Sequence, residues 1–303
     1  MAYKTLVSAE ETAAHLNDPE WIICDCRHDL ADYSAGYRAY RNGHIPGARF
    51  LHIDADLSGP KTGLTGRHPL PHPATFSLRL GALGIDNSKQ VVTYDDSGGA
   101  FAARLWWMLR WVGHERVAVL DGGWGAWQRA GLPYTVAQPA VEAATYSNRV
   151  QQQLTVDSAV VTANLQSRKA QVLDARAPDR YRGENETLDP VAGHIPGAIN
   201  RFFKLNLGED GCFKPAATLK QEFAGMLNPA GAALVGDLRP LTLGDEGQGL
   251  GHSVVERLGA QAAAHHQHAQ RAAAAGKTFG RRGQVLDLGA HRVAGDHGAR
   301  RAP

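Results

Sequence analysis

Short apolar runs alternate with amphipathic stretches along the first half of the chain. Three of the runs are bounded by Asp, Gly or Ser and are rich in β-branched residues, as buried parallel strands are. The two longer stretches between them have helical character, and one of them ends before Gly84. This alternation predicts an α/β domain with a parallel sheet and right-handed crossovers. The predicted strands are Trp21–Cys24, Val91–Tyr94 and Val117–Leu120, and the predicted helices are Ala74–Leu83 and Ala100–Trp111.

A repeated pair of motifs divides the chain into two similar parts. The segment Cys24–Arg27 is followed by GHIPGA at Gly43–Ala48, and Leu173–Arg176 is followed by the same six letters at Gly193–Ala198. Because a match of this length at nearly constant spacing is rare by chance, we predict two copies of one domain. The predicted parts are a first domain at residues 1–138, a linker at 139–153 and a partial second domain at 154–228.

The composition changes near residue 229. Beyond it the chain has no Cys, Trp, Tyr or Ile, and Phe279 is its only aromatic residue. A segment with few large apolar side chains cannot bury a substantial core, so we expect residues 229–303 to be a poorly packed or disordered tail. A reading-frame shift or a fused unrelated end would explain the change, and genuine divergence is the alternative. His265, His266 and His268 could bind a metal, although histidine in an alanine-rich run is usually incidental.

Charge and hydropathy narrow the functional classes. The 32 basic and 30 acidic residues give a net charge of +2, too balanced for nucleic acid or an anionic membrane to be the main partner. No apolar stretch approaches the length of a membrane span, and the N-terminal segment lacks the features of a signal peptide, so we expect a cytoplasmic protein. Three cysteines cannot form a disulfide framework. We expect no cofactor and no metal.

One loop of the first domain has the pattern of an anion site. Residues Tyr94–Gly99, with the letters YDDSGG, connect a predicted strand directly to a predicted helix. Such a loop places several backbone N–H groups and the positive end of the helix dipole around one point. The sequence therefore predicts an anion cradle after Tyr94.

Taken together, these motifs resemble the tandem-domain rhodaneses, which are the thiosulfate and 3-mercaptopyruvate sulfurtransferases. The resemblance covers about residues 5–228 and does not continue into the tail. It implies two α/β domains of one fold, each a parallel sheet flanked by helices, with the active site between them; we expect the second domain to be incomplete. The motifs that carry it are the paired GHIPGA segments, SGPKTGLTGRHPLP at Ser58–Pro71, ARLWWMLRW, LDGGWGAW at Leu120–Trp127, and RYRGE at Arg180–Glu184.

The resemblance also implies a chemistry. Members of the family take the outer sulfur of a small anionic donor, hold it as a cysteine persulfide in an amide cradle of the second domain, and pass it to cyanide or a thiol. Arg180 matches the family's substrate-binding arginine, with Arg182 near it. Asp95 stands at the nucleophile's place in the first domain, so that domain is expected to be inert. In the second domain the cysteine should fall near 235–245, yet no cysteine follows Cys212. We therefore assign no catalytic residue.

The remaining cysteines and histidines have structural interpretations. Cys24 and Cys26 are expected to face opposite sides of the sheet as packing residues, and a Cys-x-Cys metal site with His28 or His44 is the alternative. Cys212 lies in a predicted turn without a glycine-rich loop and is not expected to be a nucleophile. His44 and His194 occupy matching positions of the two parts, so we expect each to hold a turn through its ring nitrogens.

Three functional hypotheses follow. The first is a sulfurtransferase that moves sulfur from thiosulfate or 3-mercaptopyruvate to cyanide or a thiol. The second is a module that binds anions without turnover, and the third is a catalytically inactive chain with an incomplete second domain. A phosphatase of related fold is excluded, because it needs Arg six residues after the catalytic Cys and none of the three cysteines has one.

Overall fold

A five-stranded parallel sheet organises the first domain. The computed structural model describes residues 2–62, 65, 67–156, 158–187, 192–227 and 233–234. The strands are β1 (Leu6–Val7), β2 (Trp21–Asp25), β3 (Arg49–Phe50), β4 (Gln90–Tyr94) and β5 (Val117–Leu120), and the helices are α1 (Ala9–Ala14), α2 (Ala35–Asn42), α3 (Pro73–Ala82), α4 (Ala102–Trp111) and α5 (Gly123–Arg129). The order of the strands in the sheet is β1-β5-β4-β2-β3, so two of the neighbouring pairs, β1 with β5 and β4 with β2, are not consecutive in the chain. The predicted α/β architecture is confirmed.

The sheet separates two hydrophobic cores. Alternate side chains of β2 enter different cores, because strand side chains alternate between the faces of a sheet. Ile22 packs with α3 and α4 on one face, whereas Ile23 packs with Trp127 of α5 on the other. Helix α4 is buried nearly all round, in agreement with its apolar sequence, and its Trp106, Trp107 and Trp111 belong to the first core.

Cys24 and Cys26 lie on the same face of the sheet, which corrects the prediction that they face opposite sides. Both thiols belong to the core that contains Ile22, and each is at most 2% exposed. The physical reason is the period of a strand: residues two apart point the same way, and the Cys26 amide, one residue past the end of β2, still donates to the Tyr94 carbonyl of the neighbouring strand. Both cysteines are packing residues, as predicted.

The second part of the chain contains two short parallel strand pairs. Strand β6 (Ala170–Gln171) pairs with β9 (Ala233–Leu234), and β7 (Leu173–Asp174) pairs with β8 (Ile199–Asn200). The helices are α6 (Ser158–Ser167), α7 (Pro178–Arg182) and α8 (Ala216–Ala224), with 3-10 helices at Gln152–Leu154 and Phe203–Asn206. The predicted boundaries at 138, 153 and 228 remain predictions.

The two GHIPGA segments form the same contacts. In the first, the His44 ring stacks on Tyr40, with 3.9 Å between ring centroids, and its Nδ1 lies 2.8 Å from the Tyr40 carbonyl oxygen. In the second, the His194 ring stacks on Tyr181 at 3.8 Å, and its Nδ1 lies 2.8 Å from the Tyr181 carbonyl oxygen. Both tyrosine hydroxyls donate to the carbonyl of the last residue of the motif. The histidines therefore hold turns, as expected.

The predicted linker packs as a strap along the first domain. The Ala144 amide donates to the Gly81 carbonyl, and the Arg149 amide donates to the Val112 carbonyl. The Tyr146 ring is buried in the core beneath α3 and α4. Gly81 has no room for a side chain here, because a Cβ would lie 2.4 Å from the Ala144 oxygen. Residues 144–151 are thus attached to the first domain by both hydrogen bonds and apolar burial.

No helix among the described residues has the length and apolar character that crossing a membrane would require. The predicted tail at 229–303, including His265, His266 and His268, lies outside the described residues apart from strand β9.

Candidate active site

The predicted anion cradle forms at the carboxyl end of β4, and the side chain of Asp95 fills it. Oδ1 accepts hydrogen bonds from the amides of Ser97 and Gly99, at 2.8 and 2.9 Å. Oδ2 accepts from the amides of Phe101 and Ala102, both at 2.8 Å. Four backbone donors therefore converge on one carboxylate at the start of α4, where the helix dipole also favours negative charge.

The cradle depends on glycine and on burial. Gly98 and Gly99 have φ of 74° and 85°, a left-handed backbone that turns successive N–H groups inward. Gly123 approaches so closely that a Cβ there would lie 2.3 Å from the Asp95 carbonyl oxygen. Asp95 is 1% exposed. Burial raises the pKa of its carboxyl, and the four amide donors act in the opposite direction.

The pairing of β9 with β6 repeats the pairing of β4 with β2. Gln90 of β4 pairs with Trp21, and Ala233 of β9 pairs in the same way with Ala170, the counterpart of Trp21 in the repeat. Five residues beyond Gln90 is Asp95, and five residues beyond Ala233 is Leu238. Leu238 lies outside the described residues. Residues 235–245, where the family's cysteine was expected, also lie outside the described residues, and the sequence has no cysteine among them.

A cavity of about 330 Å³ lies between the two domains, beside the cradle. Its first-domain wall includes the loop from Gly98 to Phe101, and its second-domain wall includes the loop that follows β7. Most of the lining is apolar, with several cationic side chains among the apolar ones. The aromatic residues are Phe101, Trp106, Phe202, Phe203 and Phe213, the cationic residues are Arg67, Arg104, Arg176 and Arg180, and His68 also lines the cavity.

Arg180, the predicted substrate-binding residue, lines this cavity and is held by a carboxylate. Its Nη2 donates to both oxygens of Glu186, at 2.9 and 2.8 Å, and its Nε donates to Oε2 at 3.1 Å. The Glu186 side chain is 2% exposed and also accepts from Arg176. Arg182 lies outside the cavity lining, exposed and paired with Glu184. Sequence reasoning missed Glu186, although it stands six residues after Arg180.

No cysteine lines the cavity. The sequence has three cysteines, and all three are among the described residues. Burial raises the pKa of Cys24 to about 12 and raises that of Cys26 well above its usual value. Cys212 is half-buried against the first domain, where a Cβ on Gly122 would lie 2.7 Å from its Sγ. Burial, followed by the Asp121 carboxylate, raises its pKa to about 11. None of the thiols has the lowered pKa of a nucleophile.

A polar cluster on the first-domain side was also missed by sequence reasoning. Asp54 Oδ1 lies 2.8 Å from Lys61 Nζ and 3.4 Å from His68 Nε2. Burial and the nearby Arg104 guanidinium lower the pKa of His68 to about 4. The signal was present in the SGPKTGLTGRHPLP segment, which carries Lys61 and His68. Among the described residues no group of three or more His, Cys, Asp or Glu side chains could hold a metal ion, and this covers Cys24, Cys26, His28 and His44.

The two domains contact each other beside the cradle. Asp121 Oδ1 accepts from the Phe213 amide at 2.8 Å, and Arg129 donates to the Asp210 carbonyl. Leu207 packs so closely on the cradle loop that a Cβ on Gly98 would lie 2.9 Å from its Cδ1. The cradle loop of the first domain is therefore part of the interface that shapes the cavity.

Comparison with known proteins shows the family to which this chain is related. Residues 8–130 match the model of the rhodanese-like domain. The probable 3-mercaptopyruvate sulfurtransferase of Pseudomonas aeruginosa is 46% identical over 229 residues, which are 75% of this chain and 81% of that protein. The thiosulfate sulfurtransferase of Rattus norvegicus is 37% identical and is matched over 64% of this chain and 68% of its own length.

A solved structure gives the same result. The 3-mercaptopyruvate sulfurtransferase SseA from Escherichia coli superposes with a TM-score of 0.64 at 34% identity, covering 74% of this chain and 84% of that one. The chain belongs to the rhodanese family, and its relatives in this comparison are sulfurtransferases.

Proposed function

We propose that this protein derives from a sulfurtransferase of thiosulfate or 3-mercaptopyruvate, and that it binds such donors without taking their sulfur. The relatives and the arginine-lined cavity support donor binding. The absence of any cysteine from that cavity supports the lack of turnover. The chain is then a catalytically inactive family member, with small anionic sulfur compounds as ligands.

The chemistry of sulfur transfer explains why a thiol is needed. A thiolate attacks the outer sulfur of thiosulfate, a sulfur–sulfur bond forms to the enzyme, and sulfite leaves with the electron pair of the broken bond. Cyanide or a thiolate then attacks the persulfide and releases the original thiolate. A carboxylate offers oxygen only and cannot hold sulfane sulfur in this way. Asp95 therefore cannot serve as the carrier in the first domain.

The location of the three cysteine thiols is the observation that supports the proposal most directly. Cys24 and Cys26 are closed inside the core of the first domain, and Cys212 packs against Gly122 with a raised pKa. A sulfur carrier needs the opposite environment, which is an accessible thiolate among amide donors. The nest of amide donors at the end of β4 is filled by the Asp95 carboxylate.

The second reading is an active sulfurtransferase that uses Cys212. Its proximity to the interface between the domains is the observation that favours it, because the family's active site lies between the domains. The raised pKa of the Cys212 thiol argues against this second reading, because a nucleophilic cysteine needs a lowered pKa.

Steady-state transfer of sulfur tests the proposal. We expect the full chain to form thiocyanate from thiosulfate and cyanide, and pyruvate from 3-mercaptopyruvate, at the rate of buffer alone. Cys212→Ala is the matched variant and should behave identically. Turnover that exceeds buffer in the unmodified chain and disappears in Cys212→Ala would contradict the proposal and establish the second reading.

A further inference from the structure

Glu186 is a buried carboxylate that contacts two arginines of the cavity wall. Its side chain is 2% exposed. Arg180 donates to it through Nε and Nη2, and Arg176 donates to it through Nη1 at 3.2 Å. Both arginines line the cavity between the domains, whereas Glu186 is not part of its lining. Glu186 therefore acts on a ligand in the cavity through its charge and through the two guanidinium groups, without touching the ligand.

The charges on the second-domain wall of the cavity occur in pairs. Arg176 donates to both oxygens of Asp174 as well as to Glu186. Among the described residues of the second domain, Arg176 and Arg180 are the only charged ones that line the cavity. Two guanidinium charges are thus matched by two carboxylate charges, and the four groups together carry no net charge. The Arg180 side chain is 21% exposed, so a ligand can reach it.

A fixed negative charge penalises ligands according to their own charge. The Coulomb energy of a ligand is proportional to its charge, so a nearby carboxylate costs a dianion twice the free energy that it costs a monoanion. The dissociation constant of a dianion therefore changes by the square of the factor found for a monoanion. Salt screens the charge of Glu186 only weakly, because the side chain is buried. The two sulfur donors differ in this property: thiosulfate is a dianion, and 3-mercaptopyruvate is a monoanion at neutral pH.

We propose that Glu186 is a specificity-determining residue, and that its charge favours 3-mercaptopyruvate over thiosulfate in this cavity. The proposal rests on the proposed function, because it requires that the cavity bind these donors. Without the Glu186 charge, the two arginines and Asp174 would leave one positive charge on the wall, which attracts a dianion more strongly than a monoanion. With it, the arginines still offer hydrogen bonds to an anion, but they add no net attraction for a second negative charge.

Calorimetric titration of Glu186→Gln with each donor tests the proposal. Glutamine keeps the size of the side chain and one oxygen acceptor for the arginines, and it removes the charge. We expect thiosulfate to bind about tenfold more tightly than to the unmodified chain, and 3-mercaptopyruvate about threefold more tightly. The ratio of the two affinities then shifts about threefold towards thiosulfate. A merely structural role of Glu186 would not distinguish the donors by their charge.

Glu184→Gln is the matched control for this titration. Glu184 pairs with Arg182 outside the cavity lining, and its side chain is 57% exposed. The variant removes the same charge only two residues away, at a position where water and salt screen it. It should bind both donors as the unmodified chain does.

Sulfate and methanesulfonate separate the effect of charge from sulfur transfer. Both are tetrahedral oxyanions of sulfur, the first is a dianion and the second a monoanion, and neither has a sulfane sulfur to give. We expect Glu186→Gln to gain about threefold more affinity for sulfate than for methanesulfonate. If this variant does not fold alone, millimolar sulfate at constant ionic strength should restore its folded circular dichroism spectrum at a lower concentration than methanesulfonate does.

The outcomes distinguish this proposal from the proposed function. Equal changes in affinity for monoanions and dianions, weaker binding of both, or an unfolded variant that sulfate does not restore in preference to methanesulfonate would each overturn the role of Glu186. Absence of saturable binding of all four anions to the unmodified chain and to Glu186→Gln would overturn both proposals. Turnover in the assay described above would overturn the proposed function alone, because sulfate and methanesulfonate would still measure the effect of the Glu186 charge.

Discussion

Asp95→Ala is expected to destabilise the first domain by about 3 kcal/mol or more. The substitution leaves four backbone N–H groups facing an empty buried pocket, and each unsatisfied buried donor costs about 1–3 kcal/mol before water or relaxation offsets part of it. For a domain of this size we expect the melting temperature to fall by roughly 6–12 °C. Thermal unfolding followed by circular dichroism measures the loss. Asp96→Ala is the matched control, because Asp96 is exposed on the same loop, and it should change stability by less than about 0.5 kcal/mol.

Added formate distinguishes an anion cradle from ordinary packing. Formate carries the carboxylate that Asp95→Ala has lost, so it should raise the melting temperature of that variant in a saturable way at constant ionic strength. The unmodified chain and Asp96→Ala should show no saturable response, since Asp95 already fills their cradles. A melting temperature of Asp95→Ala within a degree or so of the original would refute the proposed importance of these four hydrogen bonds.

Arg27→Met is expected to cost about 3–5 kcal/mol of stability in the first domain, because it leaves the buried Asp25 carboxylate without its cation. The Arg27 Nη2 lies 2.6 Å from Asp25 Oδ2 and 2.7 Å from the Gly43 carbonyl oxygen, so both interactions disappear together. Methionine keeps the unbranched apolar stem over the ring of Trp124. Urea unfolding monitored by tryptophan fluorescence reports on this domain, which contains all six tryptophans of the chain.

The repeat supplies the control for Arg27→Met. Arg176 donates to Asp174 and to the Gly193 carbonyl in the same arrangement. Arg176→Met should therefore leave the tryptophan-monitored transition of the first domain unchanged. Equal shifts of that transition by the two variants would contradict the claim that each ion pair stabilises its own domain.

Sequence reasoning succeeded where local rules determine the structure. The three strands and two helices that were predicted for the first domain follow from hydrophobic periodicity, and their bounds agree with the structure to within two residues. Strands β1 and β3 and helices α1, α2 and α5 were not predicted. The cradle was predicted because a short loop that contains Ser97, Gly98 and Gly99 connects a strand directly to a helix. The structural roles of His44 and His194 were predicted from their matching positions in the repeat, because a residue present in both copies serves the fold that the two copies have in common.

It failed where a property depends on three-dimensional partners. Glu186 looks like any surface acid in the sequence, and only the fold brings it into contact with Arg176 and Arg180 as a buried carboxylate. Arg104 belongs to an apolar helix, and nothing local shows that its guanidinium is buried and donates to the carbonyls of Leu57 and His68. The strap at 144–151 was taken for a linker because polar residues dominate it, although Tyr146 and Val150 pack against the core of the first domain.

The most direct test of the central claim is the intact mass of the chain after incubation with thiosulfate or 3-mercaptopyruvate under non-reducing conditions. A chain whose three thiols are buried or protonated outside the cavity should emerge with its mass unchanged. A gain of one sulfur atom, localised by peptide mapping to any of the three cysteines and removed by cyanide, would show that the protein does carry sulfane sulfur.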